Sequence, residues 1–304
     1  MGTTPDYTDR AAGTLSGTHL GLVLGTITHG LTRTQATTTL NDAFPDFTTP
    51  HPTITDIENL ATAYATHSPP PTPTSHPLPT WIPIALATGL THPCDPIETL
   101  ANHVGNHLPL EHRGRLTYAA AAATATLISA ALEGAPWSQA FALSLSAADT
   151  IENATPTPAP HHQAGPSISA RLTWAHALAT KAPEAPADII TLLIGTSNAP
   201  QETLPAACAI IGMLTHNDTP PNPAQAARTT AQLGGDSTHT TTLVGAITGA
   251  LAGQNTIPTP TPTPTPSTTS PPPAPTTSDA YEPPPQKNHH YLRLTTPPKN
   301  RATP

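Results

Sequence analysis

Glycine spacing restricts this chain more than any other feature. From Leu204 to Ile257 the sequence reads LPAACAIIGMLTH, a proline-broken gap, then AQAARTTAQLGGDSTHTTTLVGAITGALAGQNTIP. Two small-residue helical patterns flank a Gly-Gly-Asp-Ser turn. Gly234 and Gly235 end the helix predicted to close at Leu233, because glycine reaches left-handed backbone angles without a Cβ clash. Asp236, Ser237 and Thr238 are then placed to cap a helix whose apolar face is Leu243, Val244, Ile247 and Leu251. Gly245, Gly249 and Gly253, with Ala246 and Ala250, let another helix approach closely. Residues 7–31 carry the same spacing at Gly13, Gly17 and Gly21, beside Ala12, Leu15, Leu20 and Val23. Isolated glycines weaken a helix, so close packing has to compensate in both stretches.

The rest of the chain also reads as helices between breaks. Asp9 is expected to cap the first. Thr55 or Asp56 is expected to cap the next, with Glu58 at capping-box spacing from Thr55 and a buried stripe of Leu60, Ala61 and Tyr64. Residues 115–133 predict the longest alanine-rich helix, stopped by Gly134 and Pro136. Further helices are expected over 137–148 (Phe141 and Leu145 inward), 169–181 (Leu172, Trp174, Leu178) and 204–215, while the short apolar run 189–194 could by itself pass for a strand. Thr32 to Pro52 reads as a polar loop anchored by Phe44 and Phe47. Proline-rich connectors lie near 68–79 and 154–166, and a Pro/Thr-rich, polyproline-like tail follows Pro258. The fold class is all-α: a helical domain over 7–258, and residues 259–304 as a disordered tail.

Composition excludes several roles. Lys and Arg total 11 against 19 Asp and Glu, a formal charge of −8, and no basic patch suits a nucleic-acid backbone. No run approaches eighteen unbroken apolar residues and the first residues lack an export signal, so a cytoplasmic protein without a membrane partner is expected. Cys94 and Cys208 are expected to be reduced thiols, with Cys208 a core residue. His103, His107 and His112 cross a stretch expected to be a loop and gather no acidic set. His92 reads as a loop or capping residue, and His161 and His162 as exposed. Asp236, a carboxylate at a helix start beside glycines, suits a hard cation or a polar substrate, or serves as an ordinary cap.

The run GGDSTH, LVGAITGALAG and Ile257-Pro258 resembles the C-terminal signature of the ADP-ribosylglycohydrolase family, all-helical two-metal hydrolases that usually read GGDTDT or GGDSDT there. DRAAGTLSGTHLGLVLG resembles the family's opening, with Gly17 and Gly21 kept, Thr18 where an aspartate stands, and Gly25 near a missing glutamate. Thr55-Asp56-Ile57-Glu58 is similar to the metal-ligating TDDT. Trp81-Ile82-Pro83 is similar to the end of a motif whose arginine is replaced by Thr80, and LTHPCDP resembles a further family segment.

The resemblance implies a Mg or Mn centre held by Thr55, Asp56, Asp236, Thr238 and His239. Asp56 and Asp236 are the candidate catalytic residues, one or the other as base for water, and Gly17, Gly21, Gly234, Gly235 and Ser237 line the ligand. The family context also implies a loop-adjacent helical piece over 189–194. Ile57 and Thr238 replace aspartates, which argues against a binuclear site; a single Mg, or a softer metal drawn by His239, stays open. The helical turns the family carries after TDDT are replaced here by the first connector. Three readings follow: a catalytically impaired member that binds an ADP-ribose-like molecule or acts as a scaffold; an active metal-dependent hydrolase of ADP-ribosylated proteins or small molecules; and a helical protein that binds a partner through its proline-rich segments.

Overall fold

The two glycine ladders pair with each other. In the computed structural model, which describes residues 6–42, 51–69, 78–154, 165–181 and 190–257, α1 (Tyr7–Thr28) lies antiparallel to α11 (Thr238–Ala252). Gly13 faces Gly249, Gly17 faces Gly245, Gly21 faces Thr241 and Gly25 faces Thr238. A Cβ on Gly25 would stand 2.6 Å from the Thr238 Cα. With no side chain between them the two backbones touch, which is the packing that offsets glycine's weak helix propensity. Arg10 lies on the same stripe and is buried. Its guanidinium donates to the carbonyls of Ala131 (2.9 Å) and Leu251 (2.9 Å), among the last acceptors of α6 (Arg115–Leu132) and α11. Helix ends leave such carbonyls without intrahelical donors, and a cation there also complements the helix dipole.

Around α6 stand α4 (Trp81–Thr91), α5 (Ile97–His107) and α7 (Trp137–Ala154), with α3 (Pro52–Ala65) outside α4. α8 (Ile168–Lys181) packs on α9 (Pro200–Leu214), and α10 (Pro223–Ala231) lies against α1 and α11. α6 is the core helix: Leu116, Leu127, Ile128 and its alanine run are buried. Its length and apolarity would suffice to cross a membrane, but 89% of it is buried inside the bundle. Many of the threonines are accommodated by bonding back along their helices, although the buried hydroxyls of Thr53, Thr124, Thr126 and Thr240 have no partner. Thr14, Thr18, Thr88, Thr230, Thr241 and Thr248 each donate a hydroxyl to the carbonyl four residues earlier, which removes the cost of burying an unpaired hydroxyl.

The chain divides into Met1–Thr261 and Pro262–Pro304, and every described residue belongs to the first unit. Phe44, Phe47, His161 and His162, most of both connectors and the tail from 258 lie outside the described residues.

Several local expectations are corrected. Asp6, not Asp9, caps α1: its Oδ1 accepts from Asp9 N at 2.8 Å, while Asp9 Oδ1 accepts from Asn255 Nδ2. α3 begins at Pro52, whose fixed φ suits a first helical turn, and His51 caps it through Nδ1. Thr55 and Asp56 therefore sit inside the helix. The supposed loop after Thr32 contains α2 (Arg33–Asp42), opened by a reciprocal capping box between Thr32 and Gln35. α7 runs on to Ala154, and α10 stops at Ala231. His103 and His107 lie on α5. Trp174 is exposed, with the Arg171 guanidinium 5.1 Å above its ring. Ile190–Ile194 forms a single π-helical turn, and α8 and α9 start at Ile168 and Pro200.

Candidate functional site

Backbone hydrogen bonds hold the Gly-Gly-Asp-Ser turn against the end of α1. Gly30 N donates to Gly235 O and Gly235 N to Leu31 O, both at 2.9 Å. Gly234 and Gly235 have φ of 71° and 63°, the left-handed geometry their sequence implied. A Cβ on Gly234 would also stand 2.5 Å from Leu31 O, so glycine is required there on two grounds.

This clamp fixes the residues that follow. The Asp236 carboxylate lies 3.4 Å from His29 Nδ1, with both side chains partly in solvent. Ser237 is the N-cap of α11, but its carbonyl, not its hydroxyl, receives the helix bonds: Thr241 N and Thr241 Oγ1 both donate to it. The Ser237 hydroxyl is fully buried and has no hydrogen-bond partner. Thr238 Oγ1 donates to Gly25 O at 3.0 Å, and His239 is buried at 8% exposure.

Five of the expected site residues are thus contiguous, from Gly234 to Thr238, with His239 next. Gly17 and Gly21 occupy the α1–α11 contact, their Cβ sides filled by the backbones of Gly245 and Thr241. Thr55 is exposed and Asp56 half-buried on α3; Ile57, the next residue, is completely buried. Among the described residues no group of three or more His, Cys, Asp or Glu stands together as a metal-ligand set. Asp56, Asp236 and His239 therefore do not form one.

The same end of the bundle contains a cleft of about 550 Å³, bordered by Thr80, Trp81, His112, Thr117 and the Asn198–Gln201 segment. The turn adjoins this segment: a Cβ on Gly235 would lie 3.6 Å from Thr196 Oγ1. Three helices start at the cleft: α4 after Thr80, α6 before Thr117 and α9 after Ala199. α11 starts at the adjoining turn. None of the four has a side-chain hydrogen bond capping its first turn. Glu202 is turned away to bond Ser197 N, and Thr203 Oγ1 donates to Ser197 O, fixing the segment's shape. Trp81 is 3% exposed and its Nε1 donor is unpartnered. Among the described residues no acidic side chain lines the cleft. Such a convergence of helix starts favours an anion.

A sequence model of the ADP-ribosylglycohydrolase family matches residues 77–262, more than half of the chain. The chain belongs to that family. The matched span begins just before α4 and includes the cleft and the Gly-Gly-Asp turn, whereas Gly17, Gly21, Thr55 and Asp56 precede it. No curated protein matches the chain.

Sequence reasoning missed His29, the 196–201 segment and the Trp81 donor. The partners of His29 lie some 200 residues away, and no local pattern announces them. Arg10 carried a signal, since a single cation at helical spacing from Gly13 and Gly17 belongs to the contact face.

The two thiols are inert. Cys94 Sγ donates to Glu133 Oε2 at 3.2 Å. Burial, then that bond and the carboxylate charge, push its pKa up to about 12. Burial alone raises Cys208.

Proposed function

We propose that this protein binds an ADP-ribose-like ligand through its phosphates and does not hydrolyse it by a two-metal mechanism. The cleft carries the reading. Helices α4, α6 and α9 start around it, α11 starts beside it, Trp81, whose buried indole N–H has no partner, is among its lining residues, and no carboxylate among the described residues lines it. Each helix start contributes roughly half a positive charge within its first turn. Pro83 and Pro200 have no N–H to offer, and Ile82 N and Glu202 N already bond Pro79 O and Ala199 O. The attraction for a diphosphate there therefore rests on the summed helix-start charge, with the first turn of α6 the main source of free donors.

The loss of hydrolysis is argued from the other residues. Two nearby dications need several carboxylates to balance and bridge them. Ile57 supplies only hydrocarbon to the core, and the Thr238 hydroxyl is engaged by Gly25 O. Asp236 Oδ1 lies 3.4 Å from His29 Nδ1, the one basic side chain set against it among the described residues. The donor set does not fit a binuclear centre, and no step is assigned to one.

Calorimetric titration of ADP-ribose into the full chain, with and without Mg²⁺ and Mn²⁺, tests both parts. The expected result is binding that is indifferent to metal and weakened at least fivefold by Trp81→Phe, which removes the N–H donor together with part of the ring, in a variant that keeps its circular-dichroism spectrum. Release of ADP-ribose from ADP-ribosylated arginine, dependent on metal and abolished by Asp236→Ala, would return the protein to the active hydrolases. Failure of ADP-ribose to bind at all would leave a scaffold role or partner binding through the proline-rich segments.

A further inference from the structure

A second cleft, of about 470 Å³, opens between α7, α8 and α9. It lies at the far end of the bundle from the Gly-Gly-Asp turn. The turn is bonded to Gly30, just beyond the end of α1, whereas α7 begins where α6 ends, beside Arg10 in the first turn of α1. A helix of 22 residues separates these points by roughly 33 Å. The volume is in the range of small-molecule sites.

Its walls have a distinct chemistry. Trp137 and Phe141 have ring centroids 5.5 Å apart, and the His176 ring stacks on Phe141 at 5.1 Å and 22°. Gly212 forms part of the lining, where a Cβ would come within 3.0 Å of Ala179 Cβ and 3.8 Å of Trp137 Nε1. Among the described residues the one acidic residue in the lining is Asp218, and no Lys or Arg joins it. Asp218 and its neighbour Asn217 both adopt positive φ, 58° and 50°, inside a tight turn closed by the His216–Thr219 bridge. Non-glycine residues rarely hold such angles. The Asp218 carboxylate is oriented by Ser138, accepting from its N at 3.0 Å and its Oγ at 2.9 Å. A carboxylate has about four acceptor positions, so two bonds to Ser138 leave capacity for a ligand. A carboxylate beside aromatic faces, unopposed by any fixed cation, favours a positively charged guest with a flat apolar body.

We propose that this cleft is a second binding site, specific for small aryl-alkyl ammonium compounds, with the ring against Phe141 and His176 and the ammonium at Asp218. The site is independent of the phosphate-binding cleft and of whatever that cleft binds.

Ligand-observed NMR and calorimetry on the full chain test this with 2-phenylethylamine, its anionic counterpart 3-phenylpropionate, and the neutral 3-phenylpropanol. The amine is expected to bind at least tenfold more tightly than the carboxylate. Asp218→Asn keeps an acceptor for Ser138 but removes the charge, and is expected to bring the amine down to the affinity of the alcohol. Ala142 is an exposed residue at the rim, and Ala142→Trp is expected to abolish binding of all three while leaving the melting temperature within a few degrees. Equal binding of amine and carboxylate, no binding of the amine at 10 mM, unchanged binding in Ala142→Trp, or competition by ADP-ribose would each overturn the proposal.

Discussion

Gly17 and Gly245, 228 positions apart in sequence, are packed so that a methyl group on either would overlap the other's carbonyl oxygen. Neither clash can be relieved by turning a side chain, because the obstacle is backbone. Gly17→Ala and Gly245→Ala are each expected to destabilise the domain by about 3 kcal/mol, the upper range for overpacking. Urea unfolding monitored by circular dichroism reads the change. A shift of less than 1 kcal/mol in either variant would mean that the two helices separate without cost.

Ile57→Asp supplies the aspartate that the resemblance to TDDT leads one to expect, yet it places a carboxylate at a completely buried position on the inner face of α3. The expected outcome is loss of more than about 3 kcal/mol of stability, without any gain of metal binding. A folded variant that binds Mn²⁺ in calorimetry would show that the site needs only this one ligand.

Acid is expected to weaken the corner formed by α3, α4 and α5. His92 and His103 have ring centroids 3.9 Å apart, and His107 stacks on Tyr64 at 3.7 Å. Burial lowers the pKa of His92, followed by the neighbouring His103, against a raising bond from Thr88, with His67 also lowering it. Burial lowers His107 as well, then His103 and His92. Above the ordinary histidine value of about 6.5, both rings are neutral folded or unfolded and contribute nothing. Below it the unfolded chain takes up protons that the folded chain resists, so stability falls with pH until the lowered folded values are passed. Melting temperature measured from pH 7.5 to 5 should drop, and His92→Asn should flatten the drop. A pH-independent melting temperature would contradict the assignment.

Neither thiol should react in the folded protein. With Cys94 raised to about 12 and bonded to Glu133, and Cys208 enclosed by the core, the thiolate fraction at pH 8 is very small. Iodoacetamide should label neither residue in buffer and both in urea, as counted by mass spectrometry. Fast labelling of Cys94 in the native state would require the Glu133 contact to open.

The sequence revealed the elements whose cause is local and hid those whose cause is distant. Helix α6 was legible because alanine and leucine recur without a break between Arg115 and Leu132. The left-handed pair Gly234–Gly235 was legible because only glycine fits that turn cheaply. The two glycine ladders announced a close partner each, but not that they were each other's partner. Helix α2 was missed because its polar residues conceal the stripe of Ala36 and Leu40, although Thr32 and Gln35 form a standard capping box. The start of α3 was misplaced because Thr-Asp was read as a cap when Pro52 had already begun the helix. At the candidate site the turn was legible, while the cleft was not. The cleft depends on where helices α4, α6 and α9 happen to begin together, and that is a property of the assembled bundle.

The pairing of α1 with α11 also sets an order of events. The first helix to leave a ribosome would have its glycine face open to water until the last helix of the domain had been synthesised. Loop closure over that distance is slow relative to local helix formation. The intervening helices can condense around α6 earlier, so the bundle is expected to be sealed by its two ends arriving last, with Arg10 bonding to α6 and α11 as the seam closes.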